Sequence, residues 1–202
     1  MSSSERDGAD DDDPLAWFQR SFERACASES FDASRAALAT VSAEGRPSVR
    51  YVLVKRIDDR GFAFFTNFES RKARELFANQ HAALAFHWAS IDEQVRIEGV
   101  AARVSDAESD AYFATRPRGS QLGAWASAQS EPIANQQALW ASLQAVTQRF
   151  PVTTPVPRPA YWGGFRLVPD AIEFWHSRGD RLHDRHSFVR QDSTWIRRRL
   201  QP

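Results

Sequence analysis

Residues Arg50–Lys72 read RYVLVKRIDDRGFAFFTNFESRK. The first six residues are β-branched and aliphatic with a cation at each end, Arg50 and Lys55, and read as a strand. Asp58-Asp59-Arg60-Gly61 is a turn signal, and Gly61–Asn67 is a second apolar run that can pair back on the first. Glu69-Ser70-Arg71-Lys72 then opens a helical pattern with Ala73, Leu76 and Phe77 on one face. A helix start carries partial positive charge, so two cations there are mildly unfavourable unless an anion, above all a phosphate, joins them. A solvated pair whose heads bend away is the ordinary alternative. The chain holds only two lysines, Lys55 and Lys72, among its 26 basic residues. Both fall in this stretch, where a compact ammonium has a use that arginine does not share.

Outward from this stretch the pattern is strand-rich. Pro14–Ala27 reads as an amphipathic helix capped by Asp13, with Leu15, Phe18, Phe22 and Ala25 on one face. Strands are expected at Ala36–Val41 and Ser48–Arg56, joined by a hairpin turn at Glu44–Pro47, then at Phe62–Thr66, Ala82–Trp88 and Gln94–Val104, the last with a bulge at Gly99. The helix after Ser70 runs to Asn79, and Ser105 starts another that ends near Thr115. Arg116–Ser130 is too polar and glycine-rich for a core element. Glu131–Phe150 reads as a long helix following Pro132, and residues 151–160 as an extended proline-rich connector. Tyr161–Val168, Ala171–His176, His186–Arg190 and Thr194–Leu200 complete the strands. Hairpins with helices inserted between them favour an antiparallel barrel, mainly β within an α+β class, over a parallel α/β sheet.

The chain has 202 residues, enough for one domain with a substantial core. Formal charge is zero overall, but residues 1–13 hold six acids against Arg6, which leaves about +5 on residues 14–202. The division expected is a disordered acidic tail over 1–13 and a single domain over 14–202. So small an excess is a poor argument for nucleic acid and a fair one for small anionic ligands. One cysteine, Cys26, excludes an internal disulfide and reads as a buried small residue of the first helix. The five histidines lack metal-ligand spacing. P-loop, G-x-S-x-G and G-x-G-x-x-G motifs are absent. No apolar run approaches a membrane span and no signal peptide is visible, so a cytoplasmic location is expected.

What remains is a set of anion-binding groups: Arg50, Lys55, Arg71 and Lys72; then Tyr112, Arg116, Arg118 and Ser120; then Trp175 with Arg181-Leu-His183-Asp184-Arg185. In a strand Arg181, His183 and Arg185 would share one face, either against an anionic or electron-rich ligand or neutralised by Asp180 and Asp184.

These segments, together with Gln94–Gly99, Tyr112–Trp125, Gln129-Ser130, Tyr161–Arg166 and Ile172–Trp175, resemble the pyridoxamine (pyridoxine) 5′-phosphate oxidases in order and spacing from about residue 32 onward. The resemblance implies a split β-barrel of the FMN-binding type, working as a homodimer with FMN at the interface. It implies FMN contacts from Arg50, Tyr51, Val52, Leu53, Val54, Lys55, Phe65, Thr66, Arg71, Lys72, Gln94, Gln129, Ser130, Trp175 and Arg185. Lys55, Tyr112, Arg116 and Ser120 would hold the substrate phosphate, and the catalytic pair Arg181 and His183 would cover its ring. The implied reaction oxidises pyridoxine or pyridoxamine phosphate to pyridoxal phosphate, with oxygen returning as hydrogen peroxide. The chain departs from the family pattern at Glu93 and Phe65, where arginine and tyrosine are frequent, and residues 1–13 hold no Arg-x-x-Tyr lid element. Two other readings stand beside it: a phenazine-biosynthesis flavin oxidase of the same fold, and a non-catalytic carrier of FMN or pyridoxal phosphate.

Overall fold

A computed structural model describes residues 13–202; apart from Asp13, the expected acidic tail lies outside the described residues. Asp13 caps helix α1 (Pro14–Ser28), its carboxylate accepting from the Leu15 N–H at 2.9 Å. The apolar stripe of α1 plugs one end of the sheet. Phe18 is fully buried, its ring 4.8 Å from Phe62 and 5.1 Å from Phe86 in edge-on contacts.

Eight strands follow: β1 (Arg35–Val41), β2 (Pro47–Asp58), β3 (Gly61–Asn67), β4 (His81–Trp88), β5 (Glu93–Arg103), β6 (Trp162–His176), β7 (Asp184–Gln191) and β8 (Thr194–Leu200). They form one antiparallel sheet in the order β3-β2-β1-β4-β5-β6-β7-β8, and β3 also pairs with β6. That closure makes a six-stranded barrel. Only the first half of β6 faces β3, Phe62↔Leu167 through Asn67↔Trp162. Its second half leaves the barrel and pairs with β7, Ala171↔Val189 through His176↔Asp184. The barrel is therefore split at this strand, as expected. Inward residues of alternating strands, among them Leu38, Val54, Phe64, Leu84, Ile97 and Phe165, fill it as one core. The β2–β3 turn is tight enough to need glycine: Gly61 has φ +118°, and a Cβ there would lie 2.2 Å from the Leu167 carbonyl oxygen.

Five helices decorate the barrel: α1, α2 (Arg71–Ala78), α3 (Asp106–Thr115), α4 (Arg118–Ala126) and α5 (Gln136–Arg149). Ser105 caps α3 by accepting from the Glu108 N–H. Helices α3 to α5 cover a second, smaller core of Phe113, Leu122, Phe150, Val156 and Trp162.

The structure corrects the sequence reading in several places. Residues 118–126 are helical, because Leu122 packs into the second core and Arg118 ties the helix start to the carbonyls of Phe150, Pro151 and Thr154. Helix α5 begins at Gln136, capped by Asn135, so Pro132 lies outside it. The two strands expected at 161–168 and 171–176 are one: Gly99 pairs with Pro169 and Glu98 with Ala171, so the bulge expected at Gly99 has its extra residue, Asp170, on this strand, and the ladder continues past the proline. Cys26 is exposed, since it falls on the solvent side of α1.

Candidate active site

One cleft of about 790 Å³ opens where β2, β3, α3 and α4 meet. Its walls include Tyr51, Val52, Leu53 and Lys55 of β2; Phe65, Thr66 and Asn67 of β3; Lys72 of α2; Tyr112, Arg116 and Ser120; and Gln129. Most residues the sequence singled out for cofactor and phosphate binding therefore converge here from distant parts of the chain.

At one end lies the start of α2. Ser70 is its N-cap residue but its side chain makes no capping bond. Instead Ser130 accepts from the Arg71 N–H at 3.3 Å, and Gln129 Oε1 accepts from the Thr66 hydroxyl at 3.0 Å. The 129–130 loop thus sits against the helix start. Lys72 is 8% exposed, and its Nζ reaches only hydroxyls, Thr66 Oγ1 at 3.2 Å and Ser70 Oγ at 3.4 Å. Among the described residues no carboxylate pairs with it. Burial, and then the nearby Arg50 guanidinium, lower its pKa from 10.5 to about 8. A buried ammonium that meets only hydroxyls is suited to an anionic ligand.

Arg50 and Arg71 do have a counter-ion. Both bond Glu75, at 3.0 Å and 2.8 Å, and they flank the cleft without lining it. Val54 points into the barrel core and is 2% exposed. Its expected cofactor contact is therefore limited to backbone.

Towards the other end stands Arg116. Its guanidinium lies 4.6 Å from the centre of the Trp162 ring, and its Nη1 is buried with no hydrogen-bond partner. Burial lowers its pKa. The Phe65 and Tyr112 rings stack at 4.0 Å between centres, and Phe65 lies nearly parallel to Trp162 at 5.7 Å. Glycine makes this possible: a Cβ at Gly164 would come within 2.8 Å of the Phe65 ring. Lys55, also on the cleft wall, is held by Asp32 at 2.9 Å and Ser34 at 3.1 Å. Asp32 in turn is drawn down to about 2, first by the Ser34 hydroxyl and also by Lys55. Arg118 is not part of this set, since its guanidinium is spent on the 150–154 carbonyls.

The remaining expected residues form a second group outside the cleft. Gln94, Trp175 and Arg185 are cross-strand neighbours on β5, β6 and β7, and the His183 ring lies 4.4 Å from Trp175. Arg185 is paired with Glu173 at 2.8 Å. The extended 181–185 segment expected from alternation is not observed: Gly179–Arg181 forms a 3-10 turn, Arg181 has φ +60°, and the strand starts only at Asp184. Asp184 instead binds His186 and Arg199. Glu93, one of the departures from the family pattern, is fully buried between α1 and β6, where it accepts from Ser21 and Arg24 and meets His176. Sequence reasoning left Trp162, Asn67 and Glu75 without a role. Trp162 stood inside a quoted motif, and Glu75 could have been found as the i+4 partner of Arg71.

The sequence matches the family model described as pyridoxamine 5′-phosphate oxidase over residues 24–150, and the pyridoxine 5′-phosphate oxidase C-terminal dimerisation region over residues 162–202. The chain belongs to the pyridoxamine 5′-phosphate oxidase family. It is 52% identical over 190 residues, 94% of its length and 92% of the relative's, to the pyridoxine/pyridoxamine 5′-phosphate oxidase of Myxococcus xanthus strain DK1622. Identity is also 52% over 196 residues to the enzyme of that name from Rubrobacter xylanophilus, covering 97% and 89% of the two chains. Among solved structures, PhzG from Burkholderia lata 383 in complex with tetrahydrophenazine-1-carboxylic acid superposes with a TM-score of 0.88 at 31% identity, covering 95% of this chain and 93% of that one. The cleft and the β5–β7 row described above are thus features of a pyridoxamine 5′-phosphate oxidase family member.

Proposed function

We propose that this chain is an FMN-dependent oxidase that converts pyridoxine and pyridoxamine 5′-phosphate to pyridoxal 5′-phosphate. The observation that carries the reading is one cleft holding two cations, the buried Lys72 and the half-buried Arg116, on different elements and with no carboxylate partner among the described residues. Two phosphates, one on the cofactor and one on the substrate, account for both. Lys72, Arg71, Thr66, Gln129 and Ser130 suit the cofactor phosphate. Arg116, Tyr112, Ser120 and Lys55 suit the substrate phosphate, for which Lys55 must loosen its pairing with Asp32.

Bound FMN supplies the acceptance of two electrons and their transfer to oxygen. In the net reaction the alcohol and O2 give the aldehyde and H2O2; the amine, O2 and water give the aldehyde, ammonia and H2O2. The chain's own contribution is placement and charge. Arg116, backed by the Trp162 ring, fixes the substrate by its phosphate. The Phe65, Tyr112 and Trp162 stack makes an apolar wall for flat rings.

The β5–β7 row serves this cleft through a second copy of the chain. The outer barrel face between cleft and row carries Val49, Tyr51 and Leu53 at 70%, 73% and 41% exposure beside the small side chains of Ala37, Ala39, Ala83 and Ala85. Such a flat apolar face suits an isologous interface. In the homodimer Trp175, Arg181, His183 and Arg185 of one copy complete the cleft of the other.

The phenazine reading draws on the likeness to PhzG. Arg116 weighs against it, since a substrate without a phosphate leaves its buried Nη1 unmatched among the described residues. Aerobic turnover of pyridoxine 5′-phosphate by the FMN-loaded protein decides the matter. Pyridoxal phosphate and peroxide formed in equal amounts support the proposal. A yellow protein that forms neither overturns it.

A further inference from the structure

The carboxylate of Glu75 lies at the middle of a closed hydrogen-bond network behind the α2 helix start. It sits one helical turn after Arg71 and is 6% exposed. Its Oε1 accepts from Arg71 Nε at 2.8 Å. Its Oε2 accepts from the Ser48 hydroxyl at 2.6 Å, the Thr40 hydroxyl at 2.5 Å and Arg50 Nη2 at 3.0 Å. Each of those hydroxyls in turn accepts from Arg50, which also donates to the Leu38 carbonyl at 3.2 Å. Strands β1 and β2 and helix α2 are thus joined through one side chain.

An isolated carboxylate buried this far would favour its neutral form. Here desolvation is outweighed by the donors from Ser48, Thr40, Arg71 and Arg50, and the pKa falls to about 2. Glu75 stays charged at any working pH. Both arginines it holds were assigned to the cofactor, while Lys72, whose Nζ meets only hydroxyls among the described residues, is left for the ligand. Three cations and one carboxylate leave two positive charges. That is the charge of a phosphate dianion with the sign reversed.

We infer that Glu75 is a positioning residue for the cofactor phosphate. It locks Arg50 and Arg71 in place and trims the charge of the site to match a dianion. The inference rests on the FMN reading above and extends it to a residue that touches neither cofactor nor substrate.

The test compares FMN with riboflavin, which lacks the phosphate, by flavin-fluorescence quenching on apo-protein of the full chain. Glu75→Gln keeps an acceptor but removes the charge; it is expected to weaken FMN by about tenfold to a hundredfold while riboflavin changes less than about threefold. Glu75→Asp, which keeps the charge, is expected to recover part of the loss. Equal losses for both flavins would reduce Glu75 to a structural role, and unchanged FMN affinity would remove the inference outright. Should Glu75→Gln fail to fold, Ser48→Ala removes one donor to the same carboxylate and must show the same FMN-selective loss, in smaller measure, or the inference falls. A wild-type protein that binds neither flavin overturns the FMN reading itself, a result distinct from either of these.

Discussion

Lys72 is the side chain whose chemistry is most exposed to test. Its folded pKa of about 8 lies below the ordinary 10.5, so between those values the unfolded chain holds a proton that the folded apo-protein has released. Apo-protein stability therefore rises as pH increases through this window, and the rise is absent in Lys72→Met; paired thermal melts at pH 7 and pH 9.5 check the sign. A bound phosphate dianion reverses the preference by favouring the ammonium. FMN affinity is accordingly expected to fall as pH rises above about 8, and to be weak at every pH in Lys72→Met. Arg181 makes the opposite prediction. Set in the 3-10 turn two residues before His183, whose ring lies against Trp175, and lining no part of the cleft, it is expected to leave flavin bound when changed to alanine but to cut turnover by about a hundredfold through lost substrate orientation. A colourless Arg181→Ala protein would show that cofactor and substrate residues had been divided wrongly.

The cleft depends on two elements that local sequence described poorly. β6 is a single strand of 15 residues, and it must be, because its first half closes the barrel against β3 while its second half carries Trp175 outward to β7. The sequence pattern ends one strand at Val168 and begins another at Ala171, but a register shift that leaves out Asp170 lets the ladder continue. Helix α4 is the other case. Its glycines, Gly119 and Gly123, each cost about 1 kcal/mol relative to alanine in a helix interior, yet Leu122 and the Arg118 contacts hold it. Gly119 is exposed and a Cβ there meets nothing within 4 Å. Gly119→Ala is therefore expected to stabilise the protein by about 0.5–1 kcal/mol, read as a raised unfolding midpoint with unchanged slope.

Taken together, the cleft and the β5–β7 row are proposed as two half-sites. The cleft would hold the phosphates, and the row carries the residues expected over the flavin and substrate rings. In the proposed homodimer, packed on the alanine-lined outer face, the two would come together. Val49 is 70% exposed on that face and lines no part of the cleft. Val49→Asp is expected to shift the protein from dimer to monomer in sedimentation experiments and to release flavin with it, since a buried unpaired charge at an interface costs several kcal/mol. A monomeric wild-type protein with full FMN affinity would contradict the shared site.

Periodicity and turn chemistry were enough to find the barrel. Alternation in β5, the apolar run of β3, the Asp58–Gly61 turn, the Ser105 cap and the α1 stripe are local signals, and the structure agrees with each. The clustered lysines and the cations at the α2 start pointed to phosphate for a reason that also needs no tertiary context, the polarity of a helix end. What the chain did not disclose were the partnerships. Among the described residues Lys72 and Arg116 are left without carboxylates, while Lys55 and Arg50 are claimed by Asp32 and Glu75 from distant parts of the chain. The 181–185 segment turns instead of extending, and α4 folds against its glycines. Each of these depends on which side chains burial forces together, and that is set by long-range packing, to which neighbouring residues along the chain give no access.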